Sequence, residues 1–243
     1  NLIGLNVVYN FRENDIKNEG QGAPLVPIFH RLLQIKLKLK MPLVFLNIGG
    51  ISNLTYLNNG KEMVSFDSGP GNFLIDKILQ LKTNNKIQFD KDGKIASTGN
   101  IDRNILESYL SDTFYKLLPP KSLDVNNFSL DPLKSLSLKD SVATLSELTS
   151  LSIVNALNFF SSMPAEIILC GGGRKNKYIF ERIKKLSNIS INNIDKYKIN
   201  GDFIESQAFA YLAIRSFLKK AISFPETTGV LKPTTGGDFI KFK

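Results

Sequence analysis

The chain has 243 residues, 42% of them hydrophobic and 22% charged, which is an ordinary globular balance with length for one large domain or two small ones. Disorder throughout is excluded, and the longest apolar runs, such as 167–170, fall far short of the roughly 20 residues a membrane-spanning helix needs. The net charge of +9 invites a nucleic-acid partner, but the lysines are scattered with no arginine-rich arm, so anionic small molecules such as phosphates fit equally well.

Residues 2–9 read as a strand and 10–27 as a loop rich in Gly, Pro and Asn. A helix over 28–40 follows, with apolar positions 28, 29, 32, 33 and 37 on one face. Leu43 to Ile48, Leu54 to Leu57 and Met63 to Phe66 read as three antiparallel strands with Asn-Gly turn chemistry between the last two, leading into a helix from Phe73 to about Leu81. Residues 84–100 are polar and turn-rich, 101–111 form a helix, and 119–130 are irregular. A long amphipathic helix runs to about Phe160 with Asp140 as its N-cap. A buried strand, 166–170, leads through three glycines into a helix over 176–186; a short strand near 189–191 and a helix over about 203–220 complete the pattern. The class is α/β with a mixed sheet.

Four motifs carry chemistry, each beside a plainer reading. Gly49 and Gly50, between strands, let backbone N–H groups approach an anion, or else make a tight hairpin turn. Asp67, at the end of a strand and facing the N-terminus of the next helix through a Gly-Pro-Gly loop, is placed to act as a base, or else caps the loop or helix. Gly171, Gly172 and Gly173 between a buried strand and a helix give a nucleotide-approach geometry, although neither the Rossmann nor the P-loop fingerprint is present. Glu205 sits in the first turn of the last long helix, where it also complements the helix dipole. His30 is structural or functional, Arg12 clamps an acidic group or makes a surface ion pair, and Cys170 reads as a small buried hydrophobe at its strand end. One cysteine allows no intramolecular disulfide, and with a single histidine it leaves no His/Cys zinc site; a reducing, cytoplasmic setting is expected, with no metal held by side chains of this chain.

Taken in order, GQGAPLVPIFH, LNIGGISNLTYL, FDSGPGNFLID, PPKS, ATLSELTSLSI, CGGGRKN, IESQAFAYLAIR and FPETTG closely resemble the anhydro-N-acetylmuramic acid kinases over nearly the whole chain. The resemblance implies a ribonuclease-H-like (actin-like ATPase) lobe, with a mixed β-sheet flanked by helices, from the superfamily of sugar kinases, heat-shock chaperones and actin. Residues 1–35 would be the end of a first lobe and the interlobe segment, and 36–243 the second lobe. It implies ATP and Mg2+, cytoplasmic peptidoglycan recycling, a homodimer when complete, and no nucleic-acid or membrane partner. The substrate would be anhydro-N-acetylmuramic acid, opened at its 1,6-anhydro bridge by water and phosphorylated at O6. Asp67 would be the catalytic base, Arg12 and Glu205 would hold the sugar, and Gly49, Gly50, Gly171, Gly172, Gly173 and Asn176 would meet ATP. An unperturbed aspartate, with a pKa of about 3.9, would be ionised at neutral pH.

Departures from the family pattern are Asn10 in place of Asp before Phe11-Arg12, and the run Leu123 to Asn127 after PPKS, where Val125 stands and an arginine is absent. The family begins with about a hundred further residues carrying a glycine, Ser/Thr and Asp phosphate motif. The start at Asn1 inside an apolar stretch fits a fragment, which implies exposed apolar surface. A non-catalytic lobe that holds nucleotide or sugar is the alternative.

Overall fold

The computed structural model describes residues 4–59, 62–124, 126 and 128–242; Val125 lies outside the described residues. β1 (Val7–Tyr9) is followed by a short helix α1 (Glu13–Lys17), which the Gly- and Asn-rich composition of this stretch concealed. α2 (Pro27–Leu37) starts with Pro at its first position and ends at Lys38 in the left-handed region. β2 (Leu43–Ile48), β3 (Ile51–Leu57) and β4 (Met63–Pro70) form an antiparallel meander that leads into α3 (Phe73–Lys82).

α4 (Arg103–Leu110) and the long α5 (Leu138–Ala156) come next. The N-cap of α5 is Ser137 and not Asp140: Ser137 Oγ accepts from Asp140 N–H at 3.2 Å and donates to the Asp140 carboxylate at 2.6 Å. Asp140 is therefore the third helical residue, in a reciprocal capping arrangement. β5 (Glu166–Cys170), α6 (Lys177–Ser187), β6 (Ser190–Asn193), α7 (Ile204–Phe217), α8 (Pro225–Thr228) and β7 (Asp238–Ile240) complete the chain.

Five strands form one sheet in the order β4-β3-β2-β5-β6, the first three antiparallel and the last three parallel. This is the mixed sheet expected of a ribonuclease-H-like lobe. Both faces are covered, so strand residues are buried in both directions and the strands read as continuous apolar runs. Val44, Leu46, Leu54, Tyr56, Ile167 and Leu169 face the layer of α3, α4, α5 and α6. Leu43, Phe45, Leu57, Met63, Ile168 and Cys170 face α2 and α7. β1 and β7 pair antiparallel in a separate two-stranded ribbon, on which Tyr9, Phe239 and Ile240 are exposed. Asn10, at a φ of 58°, joins this ribbon by donating to the Asp238 carboxylate at 3.0 Å.

Candidate functional site

On the face covered by α2 and α7 the register stacks side chains in rows. Leu43, Leu57 and Met63 form the first row, Phe45, Thr55 and Ser65 the second, and Asn47, Asn53 and Asp67 the third. Cys170 of β5 stands beside Asn47 in that third row. The face thus changes from apolar to polar over four residues of β2. A cavity of about 630 Å³ sits over the polar row. Arg12, the loop 21–26, His30, Leu123, Gly171, Gly172, Asp202, Glu205 and Phe209 contribute to its walls.

Asp67 lies within β4, which continues to Pro70, and not at the strand end. Its carboxylate is held by Leu123 N–H, while the turn into α3 is closed by the Gly49 and Gly50 carbonyls: Asn72 N–H donates to Gly49 O at 2.8 Å, and Phe73 N–H, the first of the helix, to Gly50 O at 3.1 Å. Immediately after Asp67 the register slips, because Ser52 pairs with Gly69 and Asn53 with Asp67, leaving Ser68 as the extra residue of a β-bulge. The bulge turns Ser68 against Ser52, Oγ to Oγ at 2.7 Å, and leaves Asp67 over the cavity.

The loop after Pro120 docks beside β4. Asp67 N–H donates to Lys121 O at 2.9 Å, and Leu123 N–H donates to Asp67 Oδ2 at 2.8 Å. Lys121 anchors this loop from below. Its buried Nζ donates to Phe114 O at 3.0 Å and stands 4.5 and 4.7 Å from the ring centres of Phe114 and Phe159. Burial lowers its pKa, and the ring faces offer it cation–π contact. Burial also raises Asp67 to about 6, opposed by the Leu123 N–H, which favours the charged form. The unperturbed value expected from sequence is therefore corrected upward: Asp67 is a stronger base than a free carboxylate and is still mostly ionised at neutral pH. Cys170 is fully buried and its thiol is pushed up to about 12, so it contributes shape and not nucleophilicity.

The sequence motifs divide in space. Arg12, Asp67, Glu205, Gly171 and Gly172 meet around the cavity over the polar row. Gly172, Gly173 and Asn176 line a second cavity of about 610 Å³ against α3, with Asn72, Asp76 and Asp90. Gly172 is common to both. Burial, and then the charge of Asp90, raise Asp76 to about 6. Gly49 and Gly50 line neither cavity and form the β2–β3 turn.

The glycines differ in what requires them. A Cβ at Gly173 would stand 2.4 Å from Ile48 Cγ2, and one at Gly171, whose φ is 74°, 2.3 Å from Asn47 Oδ1. Packing of the chain on itself demands glycine at both. A Cβ at Gly172 meets nothing within 4 Å, and one at Gly50 meets only Phe73 Cβ at 3.6 Å. These two are not needed for packing, so their bare backbone is open to a ligand. Asn176 has a structural duty as well: its Oδ1 caps α6 by accepting from Ile179 N–H at 3.1 Å.

Arg174, buried beneath Gly201, joins the two regions. Its Nη1 donates to Gly171 O at 3.0 Å and to Asp202 Oδ1 at 2.9 Å, and its Nε donates to Asp195 Oδ2 at 2.8 Å. The guanidinium therefore ties the glycine triplet to the turn that launches α7 and Glu205. On the opposite wall, the buried Asp15 accepts from Gly22 N–H at 2.6 Å and from the Thr228 hydroxyl at 2.6 Å, fixing the loop beside Arg12.

Sequence reasoning did not select Asn47, Asn53, Asp202 or the Leu123 N–H, and it left His30 open. Strand alternation around Gly49-Gly50 held the signal for the two asparagines, since it places Asn47 opposite Asn53, which in turn pairs with Asp67. The Leu123 N–H had no such signal, because it comes from irregular chain.

A family model described as anhydro-N-acetylmuramic acid kinase matches residues 1–241. The chain is 47% identical over 250 residues to the anhydro-N-acetylmuramic acid kinase of Pelagibacter ubique, covering 99% of this chain and 66% of that protein. It is 39% identical to the enzyme of the same name from Zymomonas mobilis, covering 96% and 63%. The chain thus spans less than two thirds of the length of these relatives. Among solved structures, a ligand-bound xylulose kinase from Lactobacillus acidophilus superposes with a TM-score of 0.43 at 13% identity, covering 74% of this chain and 41% of that one.

Proposed function

Because the chain belongs to the anhydro-N-acetylmuramic acid kinase family, we propose that it forms the catalytic-base side of an ATP-dependent kinase acting on anhydro-N-acetylmuramic acid. The relatives are longer than this chain, and the reaction is proposed for a protein of their full length. In this reading residues 1–35 end a first lobe and 36–243 form the second. One observation carries the proposal: Arg12, Asp67 and Glu205, far apart in sequence, line one cavity whose wall at Gly172 is shared with a second cavity.

In the proposed reaction the Asp67 carboxylate takes a proton from the water that attacks the anomeric carbon. The C1–O6 bond breaks as the new C1–O bond forms, and O6 takes the γ-phosphoryl group as its bond to the β-phosphate oxygen breaks. The products are N-acetylmuramic acid 6-phosphate and ADP. Glu205 and Arg12 hold the sugar, and the Leu123 N–H keeps the Asp67 oxygen pointed.

The open backbone at Gly172, with Gly173 and Asn176 beside it in the second cavity, is the place for the nucleotide, and Gly171, Gly49 and Gly50 would meet its phosphates from outside that cavity; catalysis there rests on positioning and charge neutralisation. No three His, Cys, Asp or Glu side chains gather into a metal cage among the described residues. Mg2+ in this reading is part of the MgATP substrate and keeps much of its water. A cytoplasmic homodimer serving peptidoglycan recycling completes the proposal.

The test is sugar-dependent ADP release by the complete protein, with the phosphosugar followed by 31P NMR. Asp67→Asn is expected to abolish both signals, and turnover retained in that variant overturns the assigned role. Binding of ATP or sugar with no phosphosugar under any condition would favour the non-catalytic lobe.

A further inference from the structure

His30 is 2% exposed, and its ring lies on the second row of the sheet, stacked on Phe45 with centroids 4.6 Å apart. A chain of hydroxyls meets its Nδ1. Ser65 Oγ–H donates to Leu54 O at 2.6 Å, so Ser65 Oγ is left to accept from Thr55 Oγ1–H at 3.2 Å. Thr55 Oγ1 then accepts from His30 Nδ1–H at 2.9 Å. This arrangement gives every hydrogen along the chain an acceptor and leaves Nε2 as an unprotonated lone pair, whereas the reverse arrangement, with Thr55 donating to Nδ1, would leave a buried Nε2–H with no acceptor.

Nε2 is buried and has no partner among the described residues, although an unpaired buried acceptor is costly. Desolvation lowers the ring to about 3, so protonation does not relieve it at any working pH. The ring is also part of the wall of the cavity that holds Asp67, Asn47 and Asn53. The side-chain amides of Asn47 and Asn53 make no hydrogen bond among the described residues either, so the polar groups at this end of the cavity are left for a ligand.

We propose that His30 Nε2 is a fixed hydrogen-bond acceptor in the sugar cavity, taking an O–H or N–H donor of the bound sugar. The inference rests on the reading of this cavity as the sugar site. A neutral, acceptor-only group on the wall discriminates: it favours a hydroxyl or amide N–H at that point of the ligand and rejects an ether or carbonyl oxygen, which would bring a second lone pair against it.

The experiment uses the complete protein, labelled with 15N and titrated with 1,6-anhydro-N-acetylmuramic acid. The ring signals of His30, the only histidine of the 243 residues, are assigned as those absent from His30→Phe. Nε2 is expected to resonate as an unprotonated nitrogen in the free protein and to move toward the hydrogen-bonded position on saturation. His30→Phe keeps the stack on Phe45 and is expected to weaken sugar affinity about five- to tenfold, the size of one lost neutral hydrogen bond. Affinity for a non-hydrolysable MgATP analogue is expected to stay within about twofold, since the second cavity is untouched.

If the Asn47 and Asn53 amides shift with the sugar while Nε2 stays still, the ring is structural and this inference alone is overturned. If no signal shifts, the sugar-site reading falls and takes the inference with it. His30→Gln supplies the same assignment if His30→Phe does not fold, so the wild-type titration decides the matter.

Discussion

Replacing Asp67 with Asn separates the function of this carboxylate from its cost to the fold. Burial raises Asp67 from 3.8 to about 6, so the folded state binds this proton more tightly than the unfolded chain does. Below a pH of about 4 the group is protonated in both states and contributes nothing. The penalty grows between about 4 and 6 and is complete above 6, where a shift of about two units corresponds to at most about 3 kcal/mol. Partial contact with the cavity solvent reduces it, and about 1–2 kcal/mol is expected at pH 8.

Asp67→Asn removes the charge and keeps an oxygen for the Leu123 N–H, so it should stabilise the ligand-free protein by that amount at pH 8 and leave it unchanged at pH 3.5. Paired urea melts at the two pH values measure this. A wild-type to variant difference that is the same at both overturns the raised pKa. In the proposed reaction the same shift would set the acid limb of activity. About 90% of Asp67 is ionised at pH 7 and about 10% at pH 5, so kcat/KM is expected to fall about tenfold between them. An unshifted carboxylate would keep nearly all of its activity at pH 5.

Gly172→Ala is expected to leave the melting temperature unchanged and to weaken MgATP binding, whereas Gly173→Ala, which drives a methyl into Ile48, is expected to cost about 1–3 kcal/mol of stability; thermal melts with nucleotide titration distinguish the two. Arg174→Ala should lower stability by about 2 kcal/mol and raise KM for both substrates, and Arg174→Lys should not restore either, because a lysine cannot reproduce the fork between Gly171, Asp195 and Asp202. Asp202 and Asp195 are held below the usual carboxylate range by hydrogen bonds to Arg174, with Asp202 at about 2. Their contribution is therefore present above a pH of about 4 and lost as the pH falls toward 2, a loss that acid melts should show in the wild type and to a smaller extent in Arg174→Ala, where Lys175 still holds Asp202. Lys121→Ala should release the loop that carries Leu123 and move the acid limb of kcat/KM upward, as the Asp67 oxygen loses its N–H; an acid limb that stays in place refutes that positioning role.

The strands over 43–48 and 166–170, the helix after Asp67 and the helix after the glycine triplet were legible because each has a local cause, either a run of β-formers between turn residues or an apolar face at helical spacing. The motif residues Arg12, Asp67, Glu205, Gly171 and Gly172 were found by residue type and order, and the fold gathers them around one cavity. Other features were hidden because their causes are not local. α1 lies in a segment whose composition reads as loop. Ser137 took the capping role because its hydroxyl and the Asp140 carboxylate satisfy each other. Asp67 reads as the close of its strand because Ser-Gly-Pro is turn chemistry, yet β4 continues through a bulge against β3.

By itself the sequence determined the α/β class, the order of elements and the ordered blocks that place the chain in its family. Tertiary structure decided the electrostatics and the division of labour. Whether Asp67 titrates near 4 or near 6 depends on what is packed around it and on one N–H from residue 123. Whether a glycine serves the fold or is open to a ligand depends on what its missing Cβ would strike, which for Gly173 is Ile48, 125 positions away, and for Gly172 is nothing. Propensity and periodicity act over a few neighbouring residues, whereas desolvation and steric exclusion are set by atoms brought close in space, and no local pattern encodes those.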